Sequence, residues 1–197
     1  RDLAGVHLAM EYLPQQNRVN AGQSVDPAER ISAEGKRVVI LGGGDTGSDC
    51  LGTAHRQGAE SVHQYELLPE PPTDRRPDTP WPQWPTVLRL SPAHEEGGVR
   101  DYNILTKSLS GANGRVERLY AVRIEWGEPD SSGRPEILEI PGSEFVIETG
   151  LVLLALGFLH PQHEGHLEEL GVELDPRGNV KTDQAKMSSV PGVFAAG

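Results

Sequence analysis

Residues 36 to 47 constrain this chain more than any other stretch. Lys36-Arg37 lead into Val38-Val39-Ile40-Leu41, an apolar run that is continuous and not alternating. Such a run suits a strand covered on both faces, as in a parallel sheet. Gly42-Gly43-Gly44-Asp45-Thr46-Gly47 follows at once. A helix is predicted over Thr46 to Gln57, with Gly58 as its C-terminal stop, and Ser61 to Leu67 reads as a second strand. Strand, glycine turn, helix and strand in about 30 residues make a βαβ unit with a right-handed crossover.

The spacing Gly42-x-Gly44-x-x-Gly47 is that of a dinucleotide-binding turn, and it stands in the required context between strand and helix. Each glycine has a separate steric task. Gly42 permits the tight turn, Gly44 lets the main chain approach a pyrophosphate, and Gly47 lets helix and strand pack closely. The helix N-terminus adds unsatisfied N–H groups and a partial positive charge. A structural glycine turn in an unrelated α/β domain is the competing explanation. Asp45, in the first helical turn, is expected to cap backbone amides there. Cys50, one turn further on, reads as a buried, inert thiol.

Glu66 stands nineteen residues after Gly47, where an acid would bind the two hydroxyls of an adenosine ribose. That favours NADH, because a carboxylate repels the 2′-phosphate of NADPH. Against this, Arg75 and Arg76 lie just downstream and could form a phosphate fork, or simply tip a solvated loop.

The remaining elements are less sharply marked. Residues 4 to 13 have helical apolar spacing that Pro14 interrupts, and 20 to 35 form a polar connection. Eight of the sixteen prolines fall between Pro69 and Pro92, with Trp81 and Trp84 among them. Tryptophans are kept mainly for burial, so this stretch is expected to be an ordered, extended excursion packed on the surface. A short helix is predicted from Asn103 to Ser110, before the turn Gly111-Ala112-Asn113-Gly114. Leu119 to Trp126 and Glu136 to Ile140 read as antiparallel strands, with Glu144 to Glu148 a third. Leu151-Val152-Leu153-Leu154-Ala155-Leu156-Gly157 reads as another buried strand, and a helix is expected around Leu167 to Leu170. His160, His163 and His166 invite a metal reading, but Pro161 argues against a regular helix there and acidic or thiol partners are not ordered around them. The expected fold is α/β: a Rossmann-like, three-layer NAD(P)-binding domain carrying an antiparallel β excursion.

Composition removes several functional classes. The net charge of −11 disfavours nucleic acid and anionic membrane surfaces as partners. No apolar run approaches the roughly 20 residues of a membrane span. The single cysteine can neither form an internal disulfide nor ligate an iron–sulfur cluster alone, which fits a cytoplasmic location. The start at Arg1 without an initiator Met, and the stop at Gly197 after Val193-Phe194-Ala195-Ala196, read as cuts in a longer chain.

Several blocks carry a family resemblance. Gly42 to Thr53 with Arg56-Gln57-Gly58-Ala59, and Ala9-Met10-Glu11-Tyr12-Leu13-Pro14-Gln15-Gln16-Asn17 upstream, are two of them. Glu66-Leu67-Leu68-Pro69-Glu70-Pro71-Pro72 and Pro80-Trp81-Pro82-Gln83-Trp84-Pro85 are two more, and the second is the most specific. Leu153-Leu154-Ala155-Leu156-Gly157-Phe158 and Gly192-Val193-Phe194-Ala195-Ala196-Gly197 complete the set. Together they resemble the small (β) subunit of glutamate synthase.

The resemblance implies an NAD(P)H-binding domain inserted into an FAD domain. Residues 34 to 150 would be the inserted domain, with 1 to 33 and 151 to 197 as flanking parts of the FAD domain. Hydride would pass from NADH or NADPH to FAD, and electrons onward through clusters and FMN to a large subunit or domain that makes glutamate. By carry-over, Gly42, Gly43, Gly44, Asp45, Thr46 and Gly47 hold the pyrophosphate, and Glu66, or alternatively Arg75 and Arg76, reads the adenosine ribose. Ala155, Leu156 and Gly157 would lie near nicotinamide and flavin, and Gly197 would begin the FAD contact. The FAD site is then incomplete within this chain, and no iron–sulfur cluster belongs to it. No acid–base residue is nominated, because hydride transfer between two cofactors needs none. The rival readings are another pyridine-nucleotide–flavin reductase of the disulfide-reductase type, a methyltransferase, and a non-catalytic Rossmann module. A methyltransferase would carry an acid just before the glycine loop, where Ile40 and Leu41 stand.

Overall fold

The computed structural model describes residues 2–83, 85–131 and 133–195. The chain forms two compact units, Arg1–Leu156 and Gly157–Gly197. In the first, strand β1 (Val6–Leu8) leads into helix α1 (Ala9–Asn20), then β2 (Arg37–Leu41), α2 (Asp45–Arg56) and β3 (Ser61–Tyr65). After the proline-rich excursion come the single-turn α3 (Pro92–Glu95) and a short β4 (Val99–Asp101). Strands β5 (Ile104–Ala112), β6 (Arg115–Pro129), β7 (Pro135–Glu139) and β8 (Phe145–Glu148) follow, and β9 (Leu151–Leu154) closes the unit.

Strands from distant parts of the chain share one parallel sheet in the order β1-β9-β2-β3-β4. The continuous apolar run of β2 has the expected cause. Val38 and Ile40 face a core with Ala9, Tyr12, Cys50, Leu51 and Ala54 from the two helices. Val39 and Leu41 face a second core with Ile104, Val116, Leu119 and Ala121. The second covering layer is thus not helical. It is the antiparallel sheet, in which β6 pairs with β5 along one edge and with β8 and β7 along the other. The order of layers is helices, parallel sheet, antiparallel sheet.

Three expectations need correction. Helix α1 does not end at Pro14 but runs through it to Asn20. A proline costs its own N–H bond, yet Tyr12 before it is fully buried and its hydroxyl donates to Gln57 Oε1 at 2.9 Å, while Gln57 Nε2 donates to Gln16 Oε1 beyond it at 2.7 Å, anchoring the helix on both sides of the defect. The predicted helix at 103–110 is strand β5. Asn113 (φ 53°) and Gly114 (φ 72°) make the two-residue turn of a hairpin, and that turn requires an antiparallel strand immediately before it. The excursion has no strand among its described residues before α3, and Trp81 is 84% exposed, so burial of that side chain is not what orders it. Trp84 lies outside the described residues.

Strand β9 sits inside the parallel sheet, between the edge strand β1 and the central strand β2, and the first unit ends at Leu156. In the second unit, helix α4 (His166–Leu170) is the predicted helix, and Leu174 bridges Val180. No helix among the described residues is long and apolar enough to cross a membrane.

Candidate functional site

The glycine turn leaves β2 at Gly42, whose φ of +122° is open to glycine and strained for other residues. Its N–H donates to the Tyr65 carbonyl at 2.8 Å. A Cβ here would lie 2.1 Å from the Ala155 carbonyl oxygen, so no side chain fits. Gly47 is closed in the same way. Its Cβ would stand 2.3 Å from the Gly42 oxygen and 2.5 Å from Gln64 Nε2, which allows α2 to seat directly on the turn. Gly44 differs from both. It is the N-cap of α2 with φ −79° and ψ −176°, and a Cβ there would meet nothing within 4 Å. The backbone at Gly44 is therefore bare toward open space, next to the amides of the helix N-terminus. That arrangement suits close approach by an anion.

Asp45 is the first helical residue and not the cap. Gly44 holds the cap position and has no side chain to cap with, so the expected capping bond is absent and Asp45 contributes only its charge near the helix start. Thr46 turns away, into a groove between α1 and α2 with Met10 and Asp49.

Glu66 follows β3 directly, and its N–H donates to the Asp101 carbonyl at 2.9 Å. Its carboxylate folds back toward the turn. Oε2 accepts from the Gly43 N–H at 2.6 Å and Oε1 from the Leu68 N–H at 2.9 Å. Each oxygen keeps a second lone-pair direction, so the group can still receive a hydroxyl.

Gly43, Gly44, Asp45, Ser48 and Glu66 form one side of a cleft of about 700 Å³. The other side is the last part of the excursion, Thr86 to Ser91, with His94 from α3. Buried Gln64 joins the two sides. Its Nε2 donates to the Gly42 carbonyl at 2.9 Å, and its Oε1 lies 3.2 Å from His94 Nε2. The Ser91 N–H can only donate, so His94 Nδ1 accepts it, at 3.1 Å. The imidazole proton is thereby assigned to Nε2, which also lies 2.9 Å from Ser48 Oγ. Burial, reinforced by Arg100, holds the pKa of His94 below its ordinary value.

Arg75 and Arg76 do not line this cleft. Arg75 Nη1 donates to the Thr79 and Gln83 carbonyls at 2.8 and 3.0 Å, within its own loop. Arg100 and Tyr102 line the cleft instead, and the sequence reading missed both because β4 is only three residues long. His94, Ser48 and the Thr86–Ser91 wall were missed as well, and no spacing marks them. Ala155 abuts Gly42 and its N–H donates to the Leu41 carbonyl at 2.8 Å. Leu156 is 72% exposed, Gly157 (φ +87°) opens the second unit, and Gly197 lies outside the described residues. Cys50 is fully buried and its pKa is pushed up to about 12, mainly by that burial, as an inert thiol requires. His160 and His163 stack at 4.4 Å, and no metal-binding group of His, Cys, Asp and Glu occurs among the described residues.

No protein-family model matches the chain. It is 48% identical over its whole length to the glutamate synthase [NADPH] small chain of Mycobacterium tuberculosis, of which it spans 40%. It is 43% identical over its whole length to the glutamate synthase [NADH] of Schizosaccharomyces pombe, spanning 10% of that much longer chain. Among solved structures, T. acidophilum thioredoxin reductase shares the fold with a TM-score of 0.53, at 22% identity over 98% of this chain and 48% of that one. FprA, an oxidoreductase of Mycobacterium tuberculosis, gives 0.57 at 16% identity, over 92% of this chain and 50% of its own. The chain is a homologue of the glutamate synthase small chain, matched from end to end to about two fifths of it.

Proposed function

We propose that the first unit binds NADH or NADPH as part of a glutamate-synthase-type flavin oxidoreductase. When bound, the nicotinamide supplies a hydride for transfer to FAD. The chain's own residues bind and orient. The Gly44 backbone and the α2 N-terminus take the pyrophosphate, with Gly43 and Asp45 beside it and the Thr46 side chain turned away, while Glu66 receives the adenosine ribose hydroxyls. Gly42 and Gly47 let the turn close, and the Thr86–Ser91 wall covers the nucleotide from the other side. Ala155, Leu156 and Gly157 carry the chain toward the flavin, to which Gly197 and the segment after Leu156 also belong. Residues 34 to 150 lie in the inserted nucleotide domain, whose sheet is completed by β1 and β9 from the stretches 1 to 33 and 151 to 197 that join it to the FAD domain. The partner is the large subunit or domain that makes glutamate from glutamine and 2-oxoglutarate in the cytoplasm, and the iron–sulfur clusters lie outside this stretch, which has one cysteine. The names of the relatives divide between NADPH and NADH.

The observation that carries this reading is steric. Two glycines of the turn are closed to any side chain and the third opens onto a large cleft beside the Glu66 carboxylate. Unfolding temperatures measured with NADH, NADPH or S-adenosylmethionine test it. A rise with either dinucleotide and not with the methyl donor is expected; a response to the methyl donor alone, or to none of the three, would overturn it. Glu66→Ala is expected to weaken NADH binding about tenfold and to leave or improve NADPH binding. Equal loss of both would remove Glu66 as the ribose reader.

A further inference from the structure

The parallel register carries Glu66 and its neighbours into a single array. Gln64 pairs with Arg100 and Tyr65 with Asp101, so Glu66 stands beside Tyr102 at the C-terminal edge of the sheet. Alternation along a strand then puts Gln64, Glu66, Arg100 and Tyr102 on one face. That face is the helix-covered one, because Gln64 reaches the Gly42 carbonyl and His94 from it. Asp101 points to the opposite face, where both its oxygens are taken by Arg123, at 2.6 and 3.2 Å. It is therefore directed away from Arg100.

The Arg100 guanidinium lies 5.6 Å from the centroid of the Tyr102 ring, which restrains it as a flat, oriented group. The Tyr102 hydroxyl is buried and finds no partner of hydrogen-bonding geometry. Both side chains line the cleft with Glu66, one strand further from the glycine turn. A dinucleotide with its pyrophosphate at Gly44 and its ribose at Glu66 sends its adenosine outward over β4. A cation on β4, one strand out from the ribose acid, then faces the substituent at the 2′ position.

The geometry points to Arg100, held over the Tyr102 ring beside Glu66, as the group that binds the 2′-phosphate of NADPH in this cleft, in the place expected of Arg75 and Arg76. The inference rests on the dinucleotide reading of the cleft. Glu66 accepts the hydroxyls of an unphosphorylated ribose, and Arg100 offsets its charge when a phosphate is present. The cleft then admits both nucleotides, with the balance between these two residues setting their ratio. A guanidinium forks onto phosphate oxygens through two parallel N–H bonds, which a lysine cannot reproduce.

Calorimetric titration of the protein with NADPH, NADH, 2′,5′-ADP and 5′-AMP tests the assignment, repeated on Arg100→Gln and Arg100→Lys. In Arg100→Gln, NADPH and 2′,5′-ADP are expected to bind about tenfold or more weakly, while NADH and 5′-AMP change less than about twofold. Arg100→Lys should recover part of the loss. Equal weakening of phosphorylated and unphosphorylated ligands, or no change in either, would overturn the assignment. A protein that binds NADH but neither NADPH nor 2′,5′-ADP would overturn it while leaving the dinucleotide site intact. Binding of none of the four would remove both.

Discussion

The two walls of the cleft are built by different means. The glycine wall is defined by what it excludes: the Gly42 and Gly47 positions are closed by the Ala155 and Gly42 carbonyl oxygens and by Gln64. Those neighbours belong to the turn, the sheet and its adjoining strands, so the wall inherits the rigidity of the core. The facing wall, Thr86 to Ser91, lies in a segment whose described residues form no strand or helix before α3 and leave Leu68, Trp81 and Leu90 largely exposed. The Leu88 N–H donates to the Pro72 carbonyl at 2.7 Å, and His94 ties its end to Gln64 and Ser48. One wall is a product of folding, while the other is free to be completed by what binds against it.

That contrast can be broken most forcefully at Gly47. Gly47→Ala forces a carbon against the Gly42 carbonyl, and a loss of about 3 kcal/mol in unfolding free energy is expected by chemical denaturation. A near-neutral result would mean that the turn can relax and is not an extension of the core. Gly44→Ala sharpens the same comparison from the other side. Its backbone is open to any residue, so stability should fall by under about 1 kcal/mol while nucleotide affinity drops about tenfold by calorimetry. Unchanged affinity would show that nothing approaches the chain at Gly44.

The smallest expected effect concerns the latch between the walls. Folding holds His94 neutral, with its pKa below 6.5, whereas the unfolded chain takes up its proton at the ordinary value. The contribution is therefore fully present above about pH 6.5 and is lost as the pH falls through the lower, folded-state value. His7 and His63 are shifted in the same direction, also chiefly by burial, so the three histidines together lower stability on acidification. His94→Gln should make that slope shallower between pH 8 and 5. Equal slopes would show that the latch does not hold His94 neutral.

Much of the first wall was legible in the sequence and little of the second. An apolar run followed by three glycines at fixed spacing encodes a local geometry, and α2, β3 and the position of Glu66 followed from it. Strand β5 was misread as a helix because its pairing with β6 is a non-local gain that no window over 103–110 contains. Arg100 escaped for a related reason. It matters through its register opposite Gln64, and a three-residue edge strand has no periodicity to detect. Arg75 and Arg76 were plausible by proximity along the chain, yet Arg75 spends its guanidinium on its own loop.

The interior position of β9, between β1 and β2, has a consequence for how the molecule comes into being. On a ribosome, β1, α1, β2, α2 and β3 emerge long before Leu151, but β1 and β2 are not neighbours and must leave a strand-wide gap between them. Until residues 151–154 arrive, Val39 and Val6 border that gap and the carbonyl that closes Gly42 does not exist. The antiparallel sheet is synthesised in the interval and brings Thr149 back within reach of Glu117, delivering β9 to its slot. Such late, long-range closure is the slow kind of step in folding. The glycine turn is written early in the chain, and its shape is completed only by nearly the last residue of the unit.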